Sequence, residues 1–260
     1  MYYGCNKEIE DKRDYKSYIC GAKQSELPEQ YEIAMTNVKD QGIVNSCVAH
    51  CLSSFMEETY KNDNMEFSTG FIYGYRPLGY SQDEGMYPRQ ALKTLLHIGD
   101  VPKQEFDHNK EMPEIKQLVD KNLDKLTSIA SNYKIDSYSR IYTIQEIKKC
   151  IYNDIAVPIS IPVYNNLAYN DITFKIKMPS GNIEGYHAIL IYGYNEDGWL
   201  IQNSWGKGWA DRGRAILPYE YPIDSAWAID TAGNNLVTYQ TIWQKIYALI
   251  LRIIDYIKNK

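Results

Sequence analysis

A glutamine stands six residues before a cysteine in Gln41-Gly-Ile-Val-Asn-Ser-Cys47. Gly42, Asn45 and Ser46 are turn formers. From Cys47 onward Val48, Cys51, Leu52, Phe55 and Met56 recur at spacings of three and four, the period of a helix running to about Lys61. Asn45 or Ser46 is a natural N-cap, so Cys47 is expected in the first turn. The partial positive charge at a helix N-terminus favours thiolate over thiol and lowers the thiol pKa. A thiolate so placed is a candidate nucleophile.

A second cluster lies far downstream. His187 opens the apolar run His-Ala-Ile-Leu-Ile-Tyr-Gly-Tyr, which reads as a buried strand. A turn at Asn195 to Gly198 leads into a second strand, Gly198-Trp-Leu-Ile-Gln, and Asn203 follows it directly. A hairpin of this kind places a histidine and an asparagine side by side. His187 follows Cys47 by 140 residues, and Asn203 follows His187 by 16.

The order Gln41, Cys47, His187, Asn203, with the run Asn203-Ser-Trp-Gly-x-x-Trp209, resembles the papain-like cysteine peptidases over roughly residues 27–230. The resemblance implies an α+β fold of two lobes, helical first and β-rich second, with the active site in the cleft between them. It implies a Cys47 thiolate paired with a His187 imidazolium, which attacks a peptide carbonyl and gives an acyl-enzyme. His187 would protonate the leaving amine and then activate water. Asn203 would orient the imidazole, and the Gln41 amide with the Cys47 N–H would form the oxyanion hole. Trp205 resembles the residue that shields the Asn–His bond. Gly85 resembles the substrate loop that pairs with an extended peptide, although Met86 stands where the family usually has a second glycine. Met86, Pro88, Pro162 and Ala188 are the candidates for lining an apolar second subsite.

Each residue alone has a duller explanation. A helical cysteine is usually a small buried hydrophobe, a histidine beside aliphatic residues is usually structural, and an asparagine often ends a strand. His50, three residues after Cys47, competes with His187 but aligns with a packing position and lacks an asparagine. His97 and His108 have no comparable context. Two other classes stay open beside the endopeptidase. One is a related acyl-transfer enzyme, an exopeptidase, transpeptidase or cell-wall amidase. The other is a non-catalytic peptide-binding protein, which the four filled catalytic positions disfavour.

The elements that must position these groups follow from the rest of the chain. Residues 1–26 form a short leader, expected either as a surface strap or as a segment across the cleft. Residues 27–130 form the helical lobe, with a short helix near Phe67, a helical run from Pro88 and another from Met112. Residues 131–230 form the β lobe, with a strand near Lys134 to Ser139, an amphipathic helix from Ile144 and a strand from Val157. Residues 231–260 contain an amphipathic helix, with Ile242, Trp243, Ile246, Ile250, Ile253 and Ile257 at helical spacing. It could pack on its own domain, bind a partner or a second copy, or lie on a membrane surface.

The 260 residues carry a net charge of −5, with no basic block of the kind that binds nucleic acid. No apolar run reaches membrane-spanning length, and the charged first residues lack the core of a secretory signal. The cysteines at 5, 20, 47, 51 and 150 have no metal-binding spacing, and no cofactor is implied. Val44 and Asp83 stand where secreted relatives carry a disulfide, which points to a reducing cytoplasm. A Cys5–Cys20 pair stays open, but free thiols are expected, with Cys150 an inert buried thiol. The partner implied is a peptide or protein substrate.

Overall fold

A computed structural model describes residues 3–9, 11, 27–60, 64–76 and 85–231. The expected C-terminal helix, Cys20, Asp83 and most of the leader lie outside the described residues.

The first lobe is built on α1 (Cys47–Thr59), whose residues Cys47 to Glu58 are all buried. A helix enclosed on every side is a core element rather than an amphipathic surface one. Helices α2 (Thr69–Gly74) and α3 (Pro88–His97) pack on one side of it, and strands of the second lobe on the other. Helices α4 (Glu114–Lys121) and α5 (Leu123–Ala130) complete the lobe. Pro88 occupies the first turn of α3, where its missing N–H has no intrahelical role.

The second lobe is an antiparallel sheet. Strands β2 (Ser137–Ile141), β3 (Val157–Tyr164), β4 (Ile183–Asn195), β5 (Gly198–Gln202), β6 (Arg214–Leu217) and β7 (Ser225–Asp230) lie in the order β2-β7-β3-β4-β5-β6. The short β1 (Tyr31–Glu32) joins β4 from the side. Strand β7 pairs with β3 only at Ile159 and Ser160. These residues lie between Pro158 and Pro162, neither of which can donate to a ladder. Between β2 and β3, α6 (Ile144–Tyr152) opens with a reciprocal cap. The Thr143 hydroxyl accepts the Glu146 N–H at 3.2 Å, and Glu146 accepts the Thr143 N–H at 2.9 Å. The result is the mixed α+β architecture expected, helices first and sheet last.

Two details differ from the sequence reading. Ser46 is the N-cap of α1, but its side chain makes no capping bond and instead lies 3.1 Å from His50 Nδ1. Cys150 is buried as expected but is disulfide-bonded, not a free thiol. Burial does not keep a thiol reduced when a partner lies within bonding reach. Cys5, Cys47 and Cys51 are free.

Candidate active site

The loop before α1 is held by its own turns. Asp40 Oδ1 accepts the Gly42 N–H at 2.9 Å, and Gly42 has φ +57°, a conformation open to glycine at little cost. Gln41 folds back over this loop, and its Nε2 donates to the Val44 carbonyl at 2.9 Å. The Ser204 hydroxyl donates to Gln41 Oε1 at 2.7 Å, which fixes which end of the amide points toward α1. The backbone joins the lobes at the same place. The Gln41 N–H donates to the Ser204 carbonyl at 2.9 Å, and the Gly206 N–H to the Lys39 carbonyl at 3.1 Å. Cys47 is the first residue of α1, where the backbone N–H has no intrahelical acceptor.

Strand β4 supplies His187 opposite Ile161, and the β4–β5 hairpin returns the chain so that Asn203 reaches it. Asn195 closes that hairpin, its Oδ1 accepting the N–H groups of Asp197 and Gly198. Asn203 Oδ1 accepts the Ser204 N–H at 2.7 Å and lies 2.7 Å from His187 Nε2. An acceptor oxygen there requires the ring proton on Nε2. His187 Nδ1 therefore carries the lone pair, and it has no hydrogen-bond partner among the described residues. Trp205 stacks on the imidazole with ring centroids 4.5 Å apart and planes inclined by 24°, so the Asn203–His187 bond is screened from water. His50 faces away into its own loop, its Nδ1 also 3.0 Å from the Ser46 carbonyl.

The groups are all buried: Cys47 and Gln41 are 0% exposed, His187 1% and Asn203 4%. The cover is the N-terminal segment. The Cys5 N–H donates to the Tyr186 carbonyl at 3.3 Å, the Met86 N–H to the Gly4 carbonyl at 2.9 Å, and the Asn6 N–H to the Met86 carbonyl at 3.0 Å. Residues 4–6 thus run between the substrate-loop residue Met86 and the residue preceding His187. Gly4 lies over the sulfur, and a Cβ there would run into the Asn45 backbone. A Cβ on Gly85 would meet the Asn6 side chain. The Tyr3 ring stands 6.4 Å from both His187 and Trp205.

Burial sets the charge state. It pushes the Cys47 thiol up to about 11, against backbone hydrogen bonds from Ala188 and Gly4 that pull it down. It pushes His187 down to about 4, against the Asn203 hydrogen bond. The lowered thiol pKa expected from the helix N-terminus is therefore absent while the site is covered. A helix terminus supplies at most about 2 kcal/mol, less than removal from water costs a buried anion. The covered pair is neutral thiol and neutral imidazole.

The structure brings together Gln41, Cys47, His187, Asn203 and Trp205, with Gly85 and Met86 along the cleft. Pro88 and Ala188 line one small apolar hollow with Val48, Cys51, Leu92 and Trp227. Pro162 lies opposite Tyr186 on β3, and its carbonyl accepts the Tyr221 hydroxyl at 3.0 Å. Sequence reasoning missed Gly4, Cys5, Glu8, Arg89, Ser160, Tyr186 and Asp224. Only Ser204, inside the Asn-Ser-Trp-Gly run, carried a local signal.

Comparisons with known proteins agree with this geometry. The family model for papain family cysteine protease matches residues 24–218. The fold is similar to that of xylellain, a cysteine protease from Xylella fastidiosa, with TM-score 0.75 and 28% identity over 88% of this chain and 96% of that one. A peptidase C1-like protein of Acanthamoeba polyphaga mimivirus is 24% identical over 208 residues, 74% of this chain and 67% of that protein. A cathepsin L-like proteinase of Fasciola hepatica is 23% identical over 69% of this chain, which spans 55% of that protein's length. With the family model matching residues 24–218, most of the chain, the chain belongs to the papain family of cysteine proteases.

Proposed function

We propose that this cysteine peptidase is an endopeptidase in which Cys47 is the nucleophile, His187 the acid and base, and Asn203 the residue that holds the ring. The observation that carries the reading is the fixed tautomer of His187, with Nε2 bonded to Asn203 and Nδ1 left with its lone pair. In this mechanism Nδ1 takes the Cys47 proton, and the thiolate adds to the peptide carbonyl. The resulting oxyanion is stabilised by the Cys47 N–H and the second N–H of Gln41 Nε2. His187 returns the proton to the leaving amine, and water then cleaves the acyl-enzyme.

The same reading makes residues 3–9 an occluding strand and the structure a latent form. The segment lies on both sides of the sulfur, from Tyr3 beside Trp205 to Glu8 beside Arg89. An exopeptidase would need one end of the cleft closed and the other open, so the coverage favours latency. The charge pair forms only after water and substrate replace the segment.

The expected cytoplasmic location stands as a proposal and has one observation against it, the disulfide at Cys150. Partner binding through residues 231–260 is likewise a proposal. No helix among the described residues is long and apolar enough to cross a membrane.

The test compares the 260-residue chain with its Gly4→Val, Cys47→Ala and double variants on internally quenched peptides in thiol buffer. Valine at position 4 meets the Asn45 backbone and expels the segment. Hydrolysis by Gly4→Val that exceeds the parent's and vanishes with Cys47→Ala supports both parts. Equal activity of parent and Gly4→Val removes the latency, and activity retained by Cys47→Ala removes the nucleophile.

A further inference from the structure

Glu8 is an acidic residue that the fold buries to 6% exposure. Its carboxylate is seated at the start of α3. Oε1 accepts the Arg89 N–H at 2.7 Å, and Oε2 lies 2.7 Å from Arg89 Nη1. The Arg89 Nη2 donates to the Ile9 carbonyl at 3.0 Å, and the Glu8 N–H donates to Asp224 Oδ2 at 3.1 Å. Both the side chain and the backbone of residue 8 are therefore gripped.

Helix α3 has no acceptor of its own for this terminus. Its N-cap, Tyr87, makes no side-chain capping bond, and no acidic residue stands in its first turn. Pro88 has no N–H, so the Arg89 amide is the first donor of the helix. Behind it the Arg89 and Arg140 guanidinium carbons lie 5.3 and 5.2 Å from the Trp227 ring centroid. The Arg140 Nη2 donates to the Asp224 carbonyl at 2.7 Å, while Nη1 is buried without a hydrogen-bond partner. Besides Glu8, the charged groups here among the described residues are Arg89, Arg140 and Asp224. An apolar side chain there would strand the Arg89 donors, and a basic one would meet like charge.

We propose that the Arg89 terminus of α3, with Asp224 beside it, is a subsite for an acidic side chain of the peptide being cleaved, and that Glu8 fills it in this structure. The inference deepens the peptidase reading and rests on it. Arg89 takes the carboxylate by charge-assisted hydrogen bonds. Gly4 covers the sulfur, so in an extended peptide the acidic side chain falls up to about 13 Å from the scissile carbonyl.

The test uses the Gly4→Val chain and internally quenched peptides carrying Glu, Gln or Lys singly at each position on either side of the scissile bond. Glu at one position is expected to raise kcat/KM over Gln by about tenfold, the factor that ~1.4 kcal/mol provides. Arg89→Met in that background should bring the Glu/Gln ratio to one, and Arg89→Glu should turn the preference toward Lys. A ratio near one at every position, or one that survives both Arg89 variants, overturns the subsite and leaves the peptidase reading intact. Absence of all hydrolysis counts against that reading instead, and binding then decides the subsite. The Gly4→Val/Cys47→Ala chain should bind a synthetic peptide of residues 1–11 about tenfold more tightly with Glu at position 8 than with Gln. Equal affinities overturn the proposal.

Discussion

The Ser204 hydroxyl holds Gln41 by its side-chain oxygen, at 2.7 Å, from the opposite lobe. That bond decides whether the amide presents N–H or C=O toward Cys47. Ser204→Ala is expected to lower kcat about tenfold with little change in KM, less than the 10²–10³ typical of losing an oxyanion donor outright. In the Gln41→Ala background the same change should add little, because both act through one group. Steady-state kinetics on the Gly4→Val chain and on its two single variants and their double variant checks this. Equal losses in both backgrounds would mean that Ser204 acts elsewhere.

Covering the cleft should depend on pH in two directions. His187 is depressed from 6.5 to about 4 and Cys47 raised from 9.0 to about 11. Between about 6.5 and 9 the two groups together hold the same number of protons in either state, as neutral pair or as charge pair, so coverage exchanges no proton with solvent there. Below 6.5 an uncovered His187 binds a proton that a covered one refuses, so coverage weakens as pH falls toward 4. Above 9 an uncovered Cys47 loses a proton that a covered one keeps, so coverage weakens again toward 11. Calorimetry of the residue 1–11 peptide with the Gly4→Val chain should show affinity lower by more than about tenfold at pH 5 than at pH 7.5. With Cys47→Ala added, the alkaline limb should disappear and the acid limb persist. Tighter binding at pH 5 would contradict the account.

Near the end of α1, Glu57 is 2% exposed at its side chain and lies 2.6 Å from Lys39 Nζ, while it also accepts the Phe67 N–H at 2.9 Å. Lys39→Met leaves a buried carboxylate without its cation and should cost about 3–5 kcal/mol in urea unfolding. Replacing both as Lys39→Met with Glu57→Leu should cost less, because no charge is then buried unpaired: the Phe67 amide is stranded, at about 1–3 kcal/mol, and the half-buried Thr36 hydroxyl loses a 3.4 Å bond. A double variant less stable than Lys39→Met would refute this ordering.

The disulfide at Cys150 gives a simple count. Among the described cysteines, Cys5, Cys47 and Cys51 are free thiols and Cys150 is disulfide-bonded. Denatured protein purified without reductant should react with fewer equivalents of a thiol reagent than the five it shows after reduction. Five before reduction would return the chain to the all-thiol state expected from its composition.

What could be read from the sequence was local. The three-and-four spacing after Cys47 marks α1, and the Asn195–Gly198 turn marks the hairpin that aligns His187 with Asn203. Strand β7 gives little signal because Ser225 to Asp230 is short and follows the irregular run from Pro218. Helix α5 has no distinct cap, since Asn122 both ends α4 and begins it. The contacts of Cys5 with Met86 and Tyr186 join positions that no window of sequence spans. The neutral state of Cys47 in the covered site is not legible in the sequence for a related reason. A helix terminus is visible in sequence, whereas the burial that outweighs it comes from a segment more than forty residues away.

The backbone bonds of Lys39 and Gln41 to Gly206 and Ser204 fix more than the amide of Gln41. They rivet the two lobes at the floor of the cleft, beside the reacting groups, so the lobes have no free hinge there. Prying them apart would break the pairing that sets the oxyanion donor. Under the proposed latency, access would then be controlled by what lies in the cleft rather than by how wide it opens.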